Sequence, residues 1–200
     1  MKFTGILIIS AMFILCACQH EYVRPENYQN PIAEIITERG TITVELYEDQ
    51  VPNTVSNFII LAESGYYQNM LFHHIVPGAF IQGGCPNTKS GSSGKPGLGG
   101  PGYKIKEEIR DDLNHNSAGI LSMAKGIGRN SSGSQFMILF DKVPVFNGRQ
   151  TVFGKVIKGM ETLKTLEKFG SKNGHPKSEE AFSIKIIRKN DIKYQVNKED

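Results

Sequence analysis

Alternating apolar and polar residues predict a chain built mostly of short β-strands. Between Ile32 and Leu46 the alternation continues on both sides of Arg39-Gly40, which predicts two strands joined by a glycine turn. The further runs of strand-forming residues are short and are bounded by Gly, Asn, Pro or Ser; they occupy residues 71–76, 79–82, 120–124, 135–140, 152–157 and 183–188.

Two other segments have helical spacing. Residues 52–64 begin with Pro-Asn and carry apolar residues on one helical face before Gly65. Residues 160–169 carry an apolar residue at every third position before Gly170. Many short strands with only two helices indicate a closed barrel, because closure leaves no exposed strand edge.

The N-terminal residues have the pattern of a targeting segment. Lys2 is followed by a mainly apolar run at residues 3–15, which is shorter than the about 20 residues that a membrane-spanning helix needs. The run ends in Leu15-Cys16-Ala17-Cys18, which resembles the lipobox of bacterial lipoproteins, where a cysteine after a small residue is acylated. An ordinary secretory signal and an uncleaved anchor stay open as alternatives.

The lipobox resemblance implies a signal peptide at residues 1–17 and lipidation of Cys18. The residue after the cysteine is Gln19 and not aspartate, and in such lipoproteins this indicates the periplasmic face of the outer membrane. We therefore expect a protein of the bacterial cell envelope, held to the membrane by about 0.8 kcal/mol per buried methylene of its acyl chains. The rest of the chain is divided by composition into a flexible tether at residues 18–31, one domain at residues 32–190 and a polar tail at residues 191–200.

The overall composition is that of one globular domain with a mixed surface. The chain has 200 residues, of which 39% are hydrophobic and 22% charged, and this suffices for one domain with its own core. Its net charge of +3 comes without a basic stripe, so we expect no nucleic-acid partner. We expect a monomer.

Cysteine and histidine residues give no sign of a disulfide or a metal site. After removal of the signal peptide and acylation of Cys18, only Cys85 remains, so no internal disulfide is expected. His73 and His74 are adjacent, and neighbours on a strand point to opposite faces, so they are not expected to chelate one ion. We predict no metal, and we expect His115, in a polar stretch, to be an exposed loop residue.

Four segments resemble the motifs of one enzyme family. Residues 72–84, FHHIVPGAFIQGG, match the pattern F-H-R-x-x-x-x-F-x-x-Q-G-G except at positions 74 and 79. The segments GILSMA at 119–124, NSSGSQF at 130–136 and VFGKV at 152–156 follow in the family's order. Over nearly all of residues 32–188 the chain is therefore similar to the cyclophilin-type prolyl isomerases.

This resemblance implies a mainly β fold, a closed eight-stranded antiparallel β-barrel capped by two α-helices. It also implies peptidyl-prolyl cis-trans isomerase activity on proline-containing polypeptides, that is, rotation about an X–Pro bond whose barrier is roughly 18–20 kcal/mol. No covalent bond changes, so no nucleophile, metal or cofactor is required. A donor aimed at the proline nitrogen stabilises the twisted amide, which occurs only in the transition state.

The resemblance also assigns roles to individual positions. His74 takes the place of the catalytic arginine as the donor, and Gln82 holds the peptide backbone beside it. The peptide is expected to lie along a strand edge at Ala124, Lys125 and Gly126. The other substrate-binding positions hold the backbone or form the proline pocket; they are Ala79, Phe80, Gln135, Met137, Val145, Phe146 and Gln150.

The chain departs from the family pattern at five of these positions: His74 replaces Arg, Ala79 and Met137 replace Phe, Val145 replaces the frequent Trp, and Gln150 replaces the frequent His. We expect Phe80 and Phe146 to refill part of the lost pocket volume. A neutral imidazole offers one N–H where a guanidinium offers five. The sequence therefore predicts an isomerase with reduced or altered activity; the alternative is a non-catalytic cyclophilin-like module that binds proline-containing peptides or surface partners.

Strand alternation adds a prediction about the two adjacent histidines. It places Phe72, His74 and Val76 on one face of residues 71–76, and the remaining three residues on the other. If the imidazolium of His74 is the working donor, turnover should rise as the pH falls through about 6.5.

Overall fold

The computed structural model describes residues 28–126 and 132–199, which form one antiparallel β-sheet with two α-helices. The helices are α1 (Pro52–Glu63) and α2 (Met160–Glu167). The strands are β1 (Ile32–Thr37), β2 (Gly40–Leu46), β3 (Met70–Leu71), β4 (His74–Val76), β5 (Phe80–Gly83), β6 (Lys104–Ile105), β7 (Ile120–Lys125), β8 (Ser132–Leu139), β9 (Val152–Lys158), β10 (Ala181–Arg188) and β11 (Lys198–Glu199).

The strands form an open, curled half-barrel. Within the described residues, hydrogen-bonded neighbours follow the order β11-β6-β8-β7-β9-β2-β1-β10-β3, while β5 joins β8 and β4 joins β5. The predicted closed eight-stranded barrel is therefore wrong, whereas the mainly β architecture with two helices is confirmed. Pairing along this path ends at β11 and β3, which are two residues long, and such short edge strands offer little backbone for another strand to join.

The core is formed by one face of the sheet and the buried face of α1. Phe58 of α1 meets Phe136 of β8 edge-on, with ring centroids 5.7 Å apart, and lies 5.2 Å from Phe153 of β9. Beside them, Phe72 stacks on Phe182 of β10 at 4.4 Å. Each fully buried side chain of this size stabilises the fold by about 1.5–3 kcal/mol.

A carboxylate from a distant loop caps α1. Oε1 of Glu108 accepts a hydrogen bond from the backbone N–H of Asn53 (3.1 Å). Its Oε2 accepts bonds from the N–H (2.7 Å) and the hydroxyl (2.6 Å) of Thr54. The residue before the helix, Val51, has no side-chain group that could do this, so Glu108 supplies the acceptor and a negative charge at the positive end of the helix dipole.

The predicted strand at residues 71–76 is split. β3 ends at Leu71 and β4 begins at His74, and between them the chain turns so that Phe72 enters the core beside Ile75. The predicted alternation, with Phe72 on the face of His74, is wrong because residues 72 and 73 are not part of a continuous strand. His74 and Ile75 do follow the alternation within β4.

Both ends of the described chain lie against the domain. The hydroxyl of Tyr28, in the predicted tether, donates a hydrogen bond of 2.9 Å to Oε2 of Glu48, and Pro31 is buried. In the predicted tail, Tyr194 packs against the core and β11 pairs with β6. The predicted boundaries at residues 32 and 190 stay predictions.

The predicted signal peptide at residues 1–17 and the predicted lipidation site Cys18 lie outside the described residues. Among residues 28–126 and 132–199, no helix has the length and apolarity needed to cross a membrane. In the same part of the chain Cys85 is buried as a free thiol.

Candidate active site

Three neighbouring strands bring the predicted donor and backbone-binding residues to one face. β4 pairs with β5 so that His74 lies opposite Gln82, and β5 pairs with β8 so that Gln82 lies opposite Met137. Residues that pair directly point to the same side of a sheet, as do residues two apart on one strand. His74, Phe80, Gln82, Gln135 and Met137 therefore share one face, and the alternate residues, among them Ile75, Ile81, Phe136 and Ile138, enter the core.

The half-buried imidazole of His74 is held between a ring, an amide and a turn. It meets the ring of Phe80 edge-on at 5.4 Å. Gly174 also lies against the ring, where a side chain would collide with Nε2 of His74, and its φ of +79° favours glycine at this place. Burial lowers the pKa of His74, a hydrogen bond from its ring to Gln82 opposes this, and the nearby His175 lowers the pKa further. The ring is therefore mostly neutral at pH 7, and its one N–H has to leave Gln82 before it can donate to a substrate.

Gln82 and Gln135 form an oriented amide pair. Nε2 of Gln82 donates to Oε1 of Gln135 at 2.9 Å, and Nε2 of Gln135 donates to the carbonyl oxygens of Gly97 and Gly99, both at 2.8 Å. The second N–H of Gln82 is not used by these bonds and is available to a peptide carbonyl. Gln135 also fixes the loop beside the site.

The two positions that follow Gln82 have no room for a side chain, which explains why both are glycine. A side chain on Gly83 would lie 2.7 Å from the ring of Phe182, which stacks on Phe72 at this point. Gly84 has φ +87° and approaches the carbonyl oxygen of Ser134 too closely for any side chain. The motif thus combines one functional side chain with two positions where only glycine fits.

The predicted peptide-binding edge lies at the end of β7. Ala124 falls at an irregularity between the register pairs Met123–Phe136 and Lys125–Ser132, so its backbone has no register partner among the described residues. Nζ of Lys125 lies 2.8 Å from Oε1 of Glu107, and both side chains are largely buried. Gly126 follows and is exposed. This geometry suits an extended peptide that hydrogen-bonds to the strand end.

Two of the residues predicted to form the proline pocket are phenylalanines whose rings are in contact. The ring centroid of Phe80 lies 5.8 Å from that of Phe146, and Met137, on the same face as Phe80, is buried. Ala79 is half-buried, and Val145 is 60% exposed, so it covers little of the pocket. Gln150 follows the turn that begins at Phe146, and its side-chain oxygen is buried with no hydrogen-bond partner in the described part of the chain.

One residue behind the pocket was misjudged from the sequence. His115 is fully buried, not exposed as predicted: Nε2 lies 2.8 Å from the hydroxyl of Ser122, and Nδ1 lies 3.2 Å from Oδ1 of Asn147. Its ring meets Phe146 at 5.7 Å and so positions the pocket wall. Burial lowers the pKa of His115, which keeps the ring neutral. No local signal could have shown this, because its partners are 7 and 32 residues away.

His73 does not join His74 in a metal site. Its ring is buried next to Gly97, and this burial, with a smaller effect from His74, lowers the pKa of His73 to about 4. Among residues 28–126 and 132–199 no group of three or more His, Cys, Asp and Glu side chains could hold a metal ion.

Comparison with known proteins gives the same family at the level of sequence. The model of the family described as "Cyclophilin type peptidyl-prolyl cis-trans isomerase/CLD" matches residues 32–189. The peptidyl-prolyl cis-trans isomerase CYP18-1 of Arabidopsis thaliana is 46% identical over 132 residues, which are 66% of this chain and 79% of that protein. A peptidyl-prolyl cis-trans isomerase of Synechococcus elongatus is 41% identical over 151 residues, 76% of this chain and 92% of that protein.

Solved structures agree with the sequence relatives. A cyclophilin type peptidyl-prolyl cis-trans isomerase of Cryptosporidium parvum has 37% sequence identity and a TM-score of 0.73, covering 81% of this chain and 100% of that one. Its crystal structure in the presence of the dipeptide Ala-Pro has a TM-score of 0.71 at 38% identity, with 80% and 99% coverage. The chain belongs to the cyclophilin-type peptidyl-prolyl cis-trans isomerases.

Proposed function

We propose that this isomerase twists X–Pro bonds on the face shared by His74, Phe80, Gln82 and Gln135, with His74 as the donor to the proline nitrogen. The observation that carries the proposal is the placement of His74 directly opposite Gln82 on paired strands. An amide that holds the peptide carbonyl and a donor beside the proline nitrogen are what rotation of the bond requires. The donor acts only on the twisted amide, so it lowers the barrier without tightening ground-state binding.

The presence of His74 where the family pattern has arginine supports a reduced rate of isomerisation. A guanidinium is always charged and long, whereas the imidazole of His74 is shorter and has a lowered pKa. At neutral pH most molecules therefore offer an uncharged donor, and hydrogen bonds from charged groups are roughly twice as strong as those from neutral ones.

The substrate class supported by the pocket is an extended proline-containing polypeptide. Phe80 and Phe146 provide aromatic surface for the proline ring, in place of the residues missing at positions 79, 137 and 145. The edge at 124–126 provides backbone groups for the flanking residues. No cofactor takes part, because the reaction makes and breaks no covalent bond.

A protease-coupled assay with a short Ala-Pro peptide tests this function. We expect catalysis by the wild type, loss in His74→Ala and a gain in His74→Arg, because arginine restores the charged donor. If the wild type matches buffer but binds the peptide by calorimetry, the chain is a non-catalytic binding module. If His74→Arg leaves the rate unchanged, then the altered pocket, and not the donor, limits the rate.

We further propose that the enzyme assists protein folding in the bacterial cell envelope as a monomer, held to the periplasmic face of the outer membrane by a lipid on Cys18. The support is the segment Leu15-Cys16-Ala17-Cys18 after an apolar run and the Gln19 that follows it. Labelling with a radioactive fatty acid in a bacterial host tests this. Label should enter the wild type and be absent from Cys18→Ser; equal labelling of both excludes this lipidation site.

A further inference from the structure

The last ten described residues cross the domain as a fixed strap. We define the C-terminal strap as residues 190–199, which begin where the family match at 32–189 ends. At its start, Nδ2 of Asn190 donates to Oε2 of the buried Glu48 at 2.6 Å and to the carbonyl oxygen of Gln29 at 3.1 Å. Tyr194 then packs against the core and accepts a hydrogen bond from the N–H of Asn190.

Two further attachments bring the strap to the candidate active site. The N–H of Asn197 donates to Oδ1 of Asn53 at 2.8 Å, and Nδ2 of Asn53 donates back to the carbonyl oxygen of Asn197 at 3.1 Å. Lys198 and Glu199 then pair as β11 with β6. The ammonium of Lys198 lies 4.3 Å from the ring centroid of Tyr103, which is a cation–π contact. The strap is thus held at both ends and in the middle.

The end of the strap forms a wall of a cavity that is also bordered by the predicted backbone-binding residues, but not by His74, Phe80 or Phe146. This cavity has a volume of about 640 Å³ and is bordered by Gln82 and Gln135, by the edge at 124–126 and by Lys198 and Glu199. Its volume is in the range of about 300–1,000 Å³ that is usual for ligand sites. A peptide bound at Gln82 and Gln135 therefore has its flanking residues next to the strap.

The charges on this cavity wall are unequal. Three lysines border it, Lys104, Lys125 and Lys198, against one glutamate, Glu199. Outside the wall, Glu107 pairs with Lys125 and neutralises part of the excess. Lys104 and Lys198 are exposed, and a cleft with one prevailing sign of charge attracts groups of the opposite sign.

We infer that the strap is a specificity element of this isomerase, through which Lys198 and Glu199 set a preference for substrates with an acidic residue flanking the proline. The inference rests on the proposed binding of peptide at Gln82, Gln135 and the edge at 124–126. Lys198 strengthens the preference and Glu199 weakens it, because the two side chains carry opposite charges on the same wall.

The test uses peptide sets in which Glu, Gln or Lys occupies, in turn, each position flanking one Ala-Pro unit. Both kcat/KM and the dissociation constant are measured at low salt for the wild type, Lys198→Gln, Glu199→Gln and the control Lys193→Gln. Lys193 is an exposed lysine of the same strap that does not border the cavity. These substitutions leave the hydrogen bonds of Asn190 and Asn197 and the packing of Tyr194 in place; Lys198→Gln removes only the cation–π contact with Tyr103.

We expect the wild type to favour Glu over Lys by about two- to five-fold at one flanking position, the size expected for a partly exposed charge pair. Lys198→Gln should reduce this ratio, Glu199→Gln should increase it, and Lys193→Gln should leave it unchanged. The ratio should approach one at high salt, as the Debye length falls from about 30 Å at 0.01 M to about 3 Å at 1 M.

Opposite shifts in the two variants separate a charge effect from a structural one. A ratio of one in the wild type, or the same shift in both variants, overturns the inference while leaving the isomerase site intact. Absence of both turnover and binding for every peptide overturns the inference together with the proposed peptide site.

Discussion

The pH dependence of turnover is the most direct consequence of a histidine at position 74. If the imidazolium of His74 is the working donor, the rate follows the protonated fraction of this one ring. Burial and the neighbouring His175 lower its pKa from the ordinary value. A histidine with an unperturbed pKa of about 6.5 is about 9% protonated at pH 7.5 and about 91% protonated at pH 5.5. The rate should therefore rise about ten-fold as the pH falls from 7.5 to 5.5, and a lower pKa of His74 makes this rise larger.

A protease-free assay is needed, because a coupling protease has its own pH dependence. Exchange between the cis and trans signals of an Ala-Pro peptide, followed by nuclear magnetic resonance, measures the rate directly. We expect kcat/KM to rise by ten-fold or more between pH 7.5 and pH 5.5 in the wild type. In His74→Arg the rate should be flat over this range, because a guanidinium stays charged.

His175→Asn serves as the matched variant, since it removes the neighbouring charge and leaves the donor. The pKa of His74 then rises, and the profile moves to higher pH. The other buried histidines, His73 and His115, also have lowered pKa values, and neither lies opposite Gln82. A profile that is flat in the wild type and unchanged in His74→Ala would refute the role of His74.

Three further predictions concern stability. Glu108→Gln should lower the free energy of unfolding by about 1–3 kcal/mol in urea titrations, because three hydrogen bonds at the start of α1 lose their charged acceptor. The control Asp111→Asn, at an exposed residue, should change the free energy of unfolding little. Phe136→Ala should cost about 3–5 kcal/mol by the same measurement, since its ring is fully buried among three others; a loss below 1 kcal/mol would contradict this packing. Because the pKa of His73 is about 4 when folded, the unfolded state binds more protons below about pH 6.5, and this residue should lower stability by up to about 3 kcal/mol as the pH drops to 4. His73→Asn should make the fall in stability less steep, while His74 and His115, whose pKa values are also lowered, keep part of it.

The motif residues could be located from the sequence because the family pattern sets their order along the chain. His74, Gln82 and Gln135 are predicted from short matches, and the structure places all three on one face of β4, β5 and β8. The same matches could not show how Gln135 uses its amide. Its two donated bonds go to Gly97 and Gly99, in a loop whose position depends on the whole sheet.

Residues that support the site from behind had no sequence signal. His115 was predicted to be exposed because its neighbours in the chain are polar, yet it is buried against Ser122 and Phe146. Glu108 caps a helix that begins 56 residues before it in the chain numbering, at Pro52. Such pairs are formed by the path of the chain in space and leave no periodic pattern.

By itself the sequence determined the mainly β content, the positions of both helices and the family, because the spacing of apolar residues and short motifs are local properties of a chain. Only the tertiary structure decided that the sheet stays open, that the strand at 71–76 breaks so that Phe72 enters the core, and that residues 190–199 return to the site. These features depend on which distant segments meet. Pairing energy and burial are gained only when both partners are in place, so no single segment carries the information.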